Sequence, residues 1–403
     1  MTTLKTNPKS IHKAVLRPTL LAASLAMAFS LAHAGGVTDT EIVLGTHIDL
    51  SGPVAAGMPM LRNAMQMRLD EANAAGGVNG RKFRLIVEDN GSQPQLAVRA
   101  VQKLIKSDDV FAIINPFGSG PNAATVKTAT DAGVVVFGPW AASSIIQKVS
   151  GNSPLLFTTV QNYDSTTATG VSWAIKTWNA KKIGVIYQEG PFGDLVKAGM
   201  NAALKDANLT VAAEAAWKGG DIDFSSQVAK MKAANVDVIL AGTVVRETVG
   251  VMAEVKKLGW KEVKVLTTLP GRSGIVAALG KDTVEGLYGI GGWKLHNADG
   301  TDAEAKKFQA SFKQKFNVDP DENAANAYSY TDWFIKCAMA AGRNLTAESF
   351  AKAAQGVAHQ DFTTYSKQTF IGNHVGPEYA SIDMVKGGKW VQQVAPMTGL
   401  FKN

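Results

Sequence analysis

Short runs of β-branched residues alternate with helix-period runs along most of this 403-residue chain, and that alternation limits the folds it can adopt. The β-type runs are rich in Val and Ile and lack a regular apolar–polar alternation, as strands buried on both faces do. They lie at 41–46, 82–88, 112–115, 134–137, 183–187, 236–241, 264–267 and 287–290. Amphipathic runs such as 58–75 and 95–106 separate them. The pattern predicts an α/β protein whose parallel sheets carry helices on both faces.

The order of these runs indicates two sheets. One strand–helix series extends from residue 41 to about 157, and a second extends from Lys182 to about 285. Residues 157–164 are predicted to link them. The chain after residue 369 is different, with two short β segments predicted around Gly372 and around Gly387-Gly388. At this length, with 46% hydrophobic residues, the chain can build two cores.

The N-terminus has the layout of a secretory signal. Four basic residues and no acidic one precede an apolar run at 20–31, which ends in Ala32-His33-Ala34. An uncleaved anchor is the alternative, but a membrane-spanning helix needs about 20 apolar residues. We therefore expect a cleaved signal peptide at 1–34. Its removal leaves 37 of the 41 basic residues and all 34 acidic ones, which gives a net charge of +3. A surplus this small does not indicate a nucleic-acid-binding protein.

The usual marks of catalysis and metal binding are missing from the sequence. Cys337 is the single cysteine, so no internal disulfide is expected, and its apolar helical run predicts a small core residue. The four histidines beyond the signal segment, at 47, 296, 359 and 374, have no metal-ligand spacing. There is no G-x-S-x-G elbow and no Walker motif. We predict neither an enzyme nor a bound cofactor or metal.

A glycine-rich turn, Gly118-Ser119-Gly120-Pro121-Asn122-Ala123, follows one predicted strand and opens a helix. It matches the dinucleotide fingerprint G-x-G-x-x-A, but it falls in the third strand–helix unit and no acidic residue ends the next strand, so dinucleotide binding is disfavoured. Backbone N–H groups at such a turn suit an anionic ligand, and Ser119 adds a hydroxyl. A packing role for the glycines is the alternative.

The next predicted strand ends in a similar turn, Pro139 to Ser144, made of small and hydroxyl residues around Trp140. In open α/β sheets, ligands bind beyond the carboxyl ends of the strands. The two turns could therefore hold one carboxylate together.

Six segments, in order along the chain, carry a family resemblance: Ser51-Gly52-Pro53, residues 71–80, residues 93–98, Phe192-Gly193-Asp194, Asp223-Phe224-Ser225 and Glu285-Gly286-Leu287. With them the chain resembles the branched-chain amino-acid-binding proteins of ABC importers, which have the type I periplasmic binding-protein fold.

The resemblance implies two Rossmann-like lobes joined by a three-segment hinge. The first lobe would comprise 36–160 plus 291–370, and the second 161–290 plus 371–403. A small solute with a carboxylate would bind in the cleft of a periplasmic monomer, and lobe closure would present it to an inner-membrane ABC permease. Delivery to a membrane chemoreceptor is an alternative, and a secreted α/β enzyme is a further one.

The resemblance also implies binding residues. The serine that grips the ligand carboxylate corresponds to Ser119, beside Gly118. The backbone turn that meets the same carboxylate corresponds to Trp140-Ala141-Ala142. The second-lobe aromatic residue that covers the ligand corresponds to Phe192. These positions imply an acid with an apolar body.

Thr268 stands where the family has the acidic partner of a ligand amino group. Because a buried ammonium without a partner costs several kcal/mol, this departure matters. Glu247 or Asp164 could replace the missing acid. Otherwise the ligand is an aromatic, keto or aliphatic acid, for which Trp140 and Phe192 would supply stacking surfaces.

Two further features bear on the ligand. A first-lobe aromatic residue of the family is replaced by Gly57, beside Met58, which we take as a contact residue. Arg246 and Arg272 lie in predicted strand-end loops of the second lobe. Either could reach a second carboxylate or be solvated.

Overall fold

The computed structural model describes residues 1–4, 35–296 and 300–398. Residues 33–403 cluster as one compact unit. The predicted signal peptide lies, from residue 5 to residue 34, outside the described residues. Within the described ranges, no helix combines the length and apolar character needed to span a bilayer.

The described ranges contain fourteen strands and twelve α-helices. The strands are β1 (Glu41–Ile48), β2 (Lys82–Asp89), β3 (Ala112–Ile114), β4 (Val135–Phe137), β5 (Leu156–Phe157), β6 (Ile183–Gln188), β7 (Ala213–Trp217), β8 (Val238–Gly242), β9 (Lys264–Thr267), β10 (Tyr288–Gly291), β11 (Thr369–Ile371), β12 (His374–Gly376), β13 (Tyr379–Lys386) and β14 (Lys389–Thr398). The helices are α1 (Met58–Ala74), α2 (Pro94–Lys106), α3 (Ser119–Asp131), α4 (Ser144–Val149), α5 (Tyr163–Trp178), α6 (Pro191–Asp206), α7 (Ser225–Ala233), α8 (Val245–Lys257), α9 (Gly274–Gly280), α10 (Ala303–Phe316), α11 (Glu322–Ala340) and α12 (Ala347–Ala354).

Local sequence signals explain where several helices begin. Pro94 and Pro191 open α2 and α6, at positions whose N–H needs no intrahelical acceptor. The Asp302 and Asp321 side chains accept hydrogen bonds from backbone N–H groups in the first turns of α10 and α11. Thr346 forms a capping box at α12.

The strands form two main sheets. The first is entirely parallel, in the order β2-β1-β3-β4-β5. The second has the order β14-β13-β10-β9-β8-β6-β7, and it is parallel except where β13 pairs with β10 and β14. The α/β prediction with two Rossmann-like sheets is confirmed. All eight predicted strands are present, and β5 and β7 are additional to them.

Each sheet has helices on both faces, and each has its own core. The face of the first sheet that carries Ile42 and Leu44 packs against α1, α10, α11 and α12, and the face that carries Val43 packs against α2, α3 and α4. The second sheet is covered by α5 and α6 on one face and by α7, α8 and α9 on the other. We call these assemblies the first unit and the second unit.

The chain passes between the two units three times. It leaves the first unit after β5, returns after β10, and leaves again after β12. The β11–β12 hairpin belongs to the first unit, because Phe370 and Val375 lie in that core and the Val375 N–H donates to the Thr158 carbonyl at 2.8 Å. The last crossing therefore falls at Pro377-Glu378, directly before β13.

Candidate ligand-binding site

The two predicted binding turns lie together at the carboxyl edge of the first sheet. Ser119 begins α3, and Gly118 precedes it with a φ of 97°, which a residue with a side chain rarely adopts. Phe117 and Trp140 form a parallel bridge, and the Gly118 N–H donates to the Trp140 carbonyl at 3.1 Å. The structure thus brings Ser119 and the Trp140 turn side by side.

The hydrogen bonds of these turns decide which N–H groups could meet a ligand. The Trp140 N–H donates to the Pro116 carbonyl and the Ala141 N–H to the Pro139 carbonyl, both at 2.8 Å. These two groups are occupied, although the predicted turn included them. Within the described ranges, no protein acceptor binds the N–H groups of Ser119, Gly120 and Ala142, or the Ser119 hydroxyl. These four donors are available to a ligand, and the buried Ser143 hydroxyl of the same turn also has no protein partner among the described residues.

Aromatic side chains pack beside these donors. The Trp140 ring centroid lies 5.7 Å from that of Tyr330 and 6.2 Å from that of Trp293. Tyr330 belongs to the first unit, whereas Trp293 lies on the second crossing segment, and Leu269 of the second unit joins the same cluster. The cluster therefore marks the junction between the two units.

Phe192 lies in the core of the second unit and is only 8% exposed. Its ring centroid is 4.8 Å from that of Tyr163, which also touches the junction cluster. Burial raises the pKa of Tyr163, so its phenol stays protonated and can donate. No protein acceptor binds that hydroxyl in the part of the chain that the structure describes. Tyr163 links Phe192 to the Trp140 cluster.

The structure gives the other predicted binding residues, Asp164, Thr268 and Met58, different surroundings. The Asp164 carboxylate accepts from the Ser144 hydroxyl at 2.7 Å and from the Ser165 N–H at 3.0 Å. Thr268 is buried, and its hydroxyl has no protein partner among the described residues. Met58 lies in the core of the first unit, 4% exposed. Trp140 packs against that same core.

The two arginines have different surroundings. Arg246 is exposed, and its Nη2 donates to the Pro53 carbonyl of the first unit at 3.1 Å. Arg272 is 1% exposed and pairs with Asp383 of β13. It also donates to the Trp293 carbonyl at 2.9 Å. The expectation that Arg272 is solvated or free to reach a second carboxylate is wrong, because buried acceptors on β13 and on the second crossing segment occupy its guanidinium.

Glu247 lies in the first turn of α8 and is buried. Among the described residues, no basic side chain forms a salt bridge with it. It is 7% exposed, and burial raises its pKa. Across the described ranges, no donor from another residue binds its carboxylate. A buried carboxyl in this condition is the kind of group that a ligand cation would satisfy.

Sequence reasoning missed Tyr163, Trp293 and Tyr330. Each comes from a segment remote from the Gly118 and Trp140 turns, so no local spacing connects them. The one available signal was Gly291-Gly292-Trp293, where a bulky aromatic residue directly follows a strand end.

Cavity volume alone does not identify the Ser119 and Trp140 turns as the binding site. A cavity of about 340 Å³ lies at the β11–β12 hairpin, and its lining includes Asn162, His374 and Glu378. Neither Ser119 nor Trp140 lines it. Unpaired donors beside the aromatic cluster, rather than cavity volume, identify the candidate site at the junction. Within the described ranges, no cluster of three or more potential metal ligands occurs.

Two helix-covered sheets, three crossing segments and unpaired N–H groups at a strand-end turn are the architecture of a two-lobed binding protein. Residues 41–384 match the periplasmic binding protein family, and the chain belongs to that family. The predicted resemblance is confirmed.

Known relatives add detail. The Leu/Ile/Val-binding protein BraC3 of Rhizobium johnstonii is 27% identical over 338 residues, which span 83% of this chain and 86% of the relative. The fold resembles a branched-chain amino acid ABC transporter protein of Thermus thermophilus with bound valine, with a TM-score of 0.81, 15% identity and coverage of 90% and 98% of the two chains. The fold also resembles a solute-binding protein of R. palustris in complex with benzoate. The TM-score is 0.76 and the identity 16%, and the match covers 89% of this chain and 98% of that protein. These two likenesses concern the fold alone.

Proposed function

We propose that this chain is the periplasmic solute-binding component of an ABC importer, and that it holds a small carboxylate-bearing solute between two lobes. The observation that carries the proposal is the set of unpaired donors on Ser119, Gly120 and Ala142, which lies beside an aromatic cluster shared by both units. The sequence predicted lobes of 36–160 plus 291–370 and 161–290 plus 371–403; we propose that the last boundary lies at Pro377-Glu378 instead, because the β11–β12 hairpin packs on the first lobe.

The ligand carboxylate binds at the start of α3. The Ser119 and Gly120 N–H groups and the Ser119 hydroxyl are oriented by the turn that Gly118 makes possible. Hydrogen bonds to a charged group contribute about 1.5–3 kcal/mol each, so three of them are enough to fix one end of a small acid. The Ala142 N–H is a fourth donor from the neighbouring turn.

Glu247 supports a ligand with an amino group. The family's acidic position is Thr268 here, and the Asp164 carboxylate is already bound by Ser144. A ligand ammonium beside Glu247 would favour the ionised form of a carboxylate that burial otherwise disfavours. An α-amino acid with an apolar side chain is therefore the favoured ligand, in line with the Leu/Ile/Val-binding relative.

An aromatic acid is the second candidate. Trp140, Trp293 and Tyr330 offer ring surfaces that suit an aromatic body as well as a branched aliphatic one. The benzoate-binding neighbour has the same fold. The two candidates differ in whether they need Glu247.

A thermal-shift panel tests both candidates. The panel is leucine, isoleucine, valine, phenylalanine, benzoate and 4-methyl-2-oxopentanoate. A ligand at 100 times its Kd stabilises the folded chain by about 2.7 kcal/mol. Glu247→Gln should abolish the shift for amino acids and leave that for benzoate or the keto acid, whereas the exposed control Glu262→Gln should change neither. If no acid in the panel stabilises the chain, the proposal fails.

Binding without chemistry is part of the proposal. A solute incubated with the chain and recovered should have an unchanged mass, whereas a changed mass would indicate an enzyme. Light scattering should give the mass of a monomer.

Uptake of the bound solute by permease-containing vesicles, rather than a chemoreceptor response, is the outcome expected of an importer component.

A further inference from the structure

A glutamate of the first unit contacts the second unit directly. Glu322 is the first residue of α11, and Ser273 and Gly274 stand at the start of α9. The Ser273 hydroxyl donates to Glu322 Oε1, and the Gly274 N–H donates to the same oxygen at 3.1 Å. One carboxylate oxygen thus receives two hydrogen bonds from the other unit.

Both sides of this contact are held in place by their own helices. The Asp321 side chain accepts from the Ala324 N–H at 2.9 Å, and the Asn326 amide donates to the Glu322 carbonyl at 2.9 Å. The Ser273 hydroxyl also accepts from the Ile275 N–H at 3.1 Å. Because the groups are already oriented, little further ordering is needed when the two units meet.

Gly274 allows the close approach. A Cβ atom at this position would lie 3.0 Å from Glu322 Oε2, which is tighter than ordinary van der Waals contact. Any side chain at Gly274 would therefore push the carboxylate away.

The contact between the units at Arg246 is weaker. Arg246 Nη2 donates to the Pro53 carbonyl at 3.1 Å, but Arg246 is exposed and the bond competes with water. Ser273 is 5% exposed, so its bond to the Glu322 carboxyl group is shielded from water. The contact at Glu322 should therefore contribute more than the one at Arg246 to the energy of bringing the units together.

We propose that Glu322 is a clasp that holds the two lobes together before any ligand binds, and that it thereby sets the ligand affinity. This inference rests on the proposed function in one respect, that the ligand is held between the lobes. A ligand that needs the closed form binds with an apparent Kd equal to its intrinsic Kd divided by the closed fraction. A residue that raises the closed fraction therefore tightens binding without touching the ligand.

Three variants test the clasp. Glu322→Ala removes both hydrogen bonds, whereas Glu322→Gln keeps an acceptor oxygen of the same shape. Glu348→Ala is the matched control, because Glu348 is an exposed glutamate in the first turn of α12 in the same unit. Small-angle scattering of each ligand-free chain gives the radius of gyration, and stopped-flow release of L-leucine gives the dissociation rate.

Glu322→Ala should increase the radius of gyration of the ligand-free chain and raise the leucine dissociation rate about tenfold, the change expected when one or two buried hydrogen bonds are lost. Glu348→Ala should match the parent chain, and Glu322→Gln should increase neither the radius of gyration nor the dissociation rate. Gly274→Ala should shift both readouts in the same direction as Glu322→Ala, but less. Circular dichroism checks that each variant is folded.

Unchanged scattering and unchanged leucine release in Glu322→Ala would overturn the clasp. If Glu322→Ala does not fold, the result for Gly274→Ala decides: a parent-like radius of gyration refutes the proposal. The ligand-free scattering experiment does not depend on leucine. A chain that expands in Glu322→Ala but never binds leucine would support the clasp and count against the amino-acid assignment.

Discussion

The buried ion pair between Arg272 and Asp383 should be the most sensitive point of the region where the crossing segments meet. Arg272 follows β9, Asp383 lies on β13 beyond the third crossing, and Trp293 lies on the second crossing. The Arg272 and Asp383 side chains are 1% and 4% exposed. Removing one member leaves the other charge buried without a partner.

Arg272→Met should lower the free energy of unfolding by about 3–5 kcal/mol, the range for breaking one side of a buried pair. The Trp293 carbonyl also loses the Arg272 donor that lies 2.9 Å away. That loss costs about 1 kcal/mol and is already included in the 3–5 kcal/mol. The double variant Arg272→Met/Asp383→Leu replaces both charges by apolar groups, which is often close to neutral. It should therefore be more stable than Arg272→Met alone.

Urea unfolding followed by circular dichroism measures these differences, with Arg62→Met as the control because Arg62 is exposed. A loss below 1 kcal/mol in Arg272→Met would refute the reasoning. So would a double variant as unstable as the sum of the two single ones, since that result would mean the two residues do not interact.

Three other predictions concern the ligand, pH and processing. Ser119→Ala should weaken binding of the acid that stabilises the chain by about 1–3 kcal/mol in calorimetry, while Thr128→Ala, at an exposed position on α3, should not; equal affinities would remove Ser119 from the site. Burial and the neighbouring Asp321 raise the pKa of Glu322 from 4.5 to about 7, with Arg272 the nearest opposing charge. Closure should therefore be favoured below pH 4.5 and weaken as the pH rises to 7, so ligand-free scattering should change over that window in the parent chain but not in Glu322→Gln. Protein recovered from the periplasm should begin at Gly35, and an N-terminus at Met1 would contradict the signal peptide.

Much of the fold could be predicted from short-range patterns in the sequence. Most of the eight Val- and Ile-rich runs form strands that helices bury on both faces, and that requirement is visible in composition. The exception is β2, an edge strand that is largely half-buried. The two missed strands lacked the signal. β7 is Ala-Glu-Ala-Ala-Trp, which has low β propensity and forms an edge strand because β6 pairs with it. β5 has two residues, too few for a pattern.

The sequence by itself determined the two strand–helix series and the Gly118-Ser119 start of α3, since these depend on neighbours within a few residues. It also indicated parallel sheets, because the strand runs have the apolar composition of strands covered on both faces. Only the tertiary structure decided that Arg272 is buried against Asp383, that Glu322 meets Ser273, and that Trp293 and Tyr330 surround Trp140. These partners are 111, 49, 153 and 190 positions apart along the chain. Such contacts arise where the three crossing segments bring the two units together, and sequence spacing does not encode that packing.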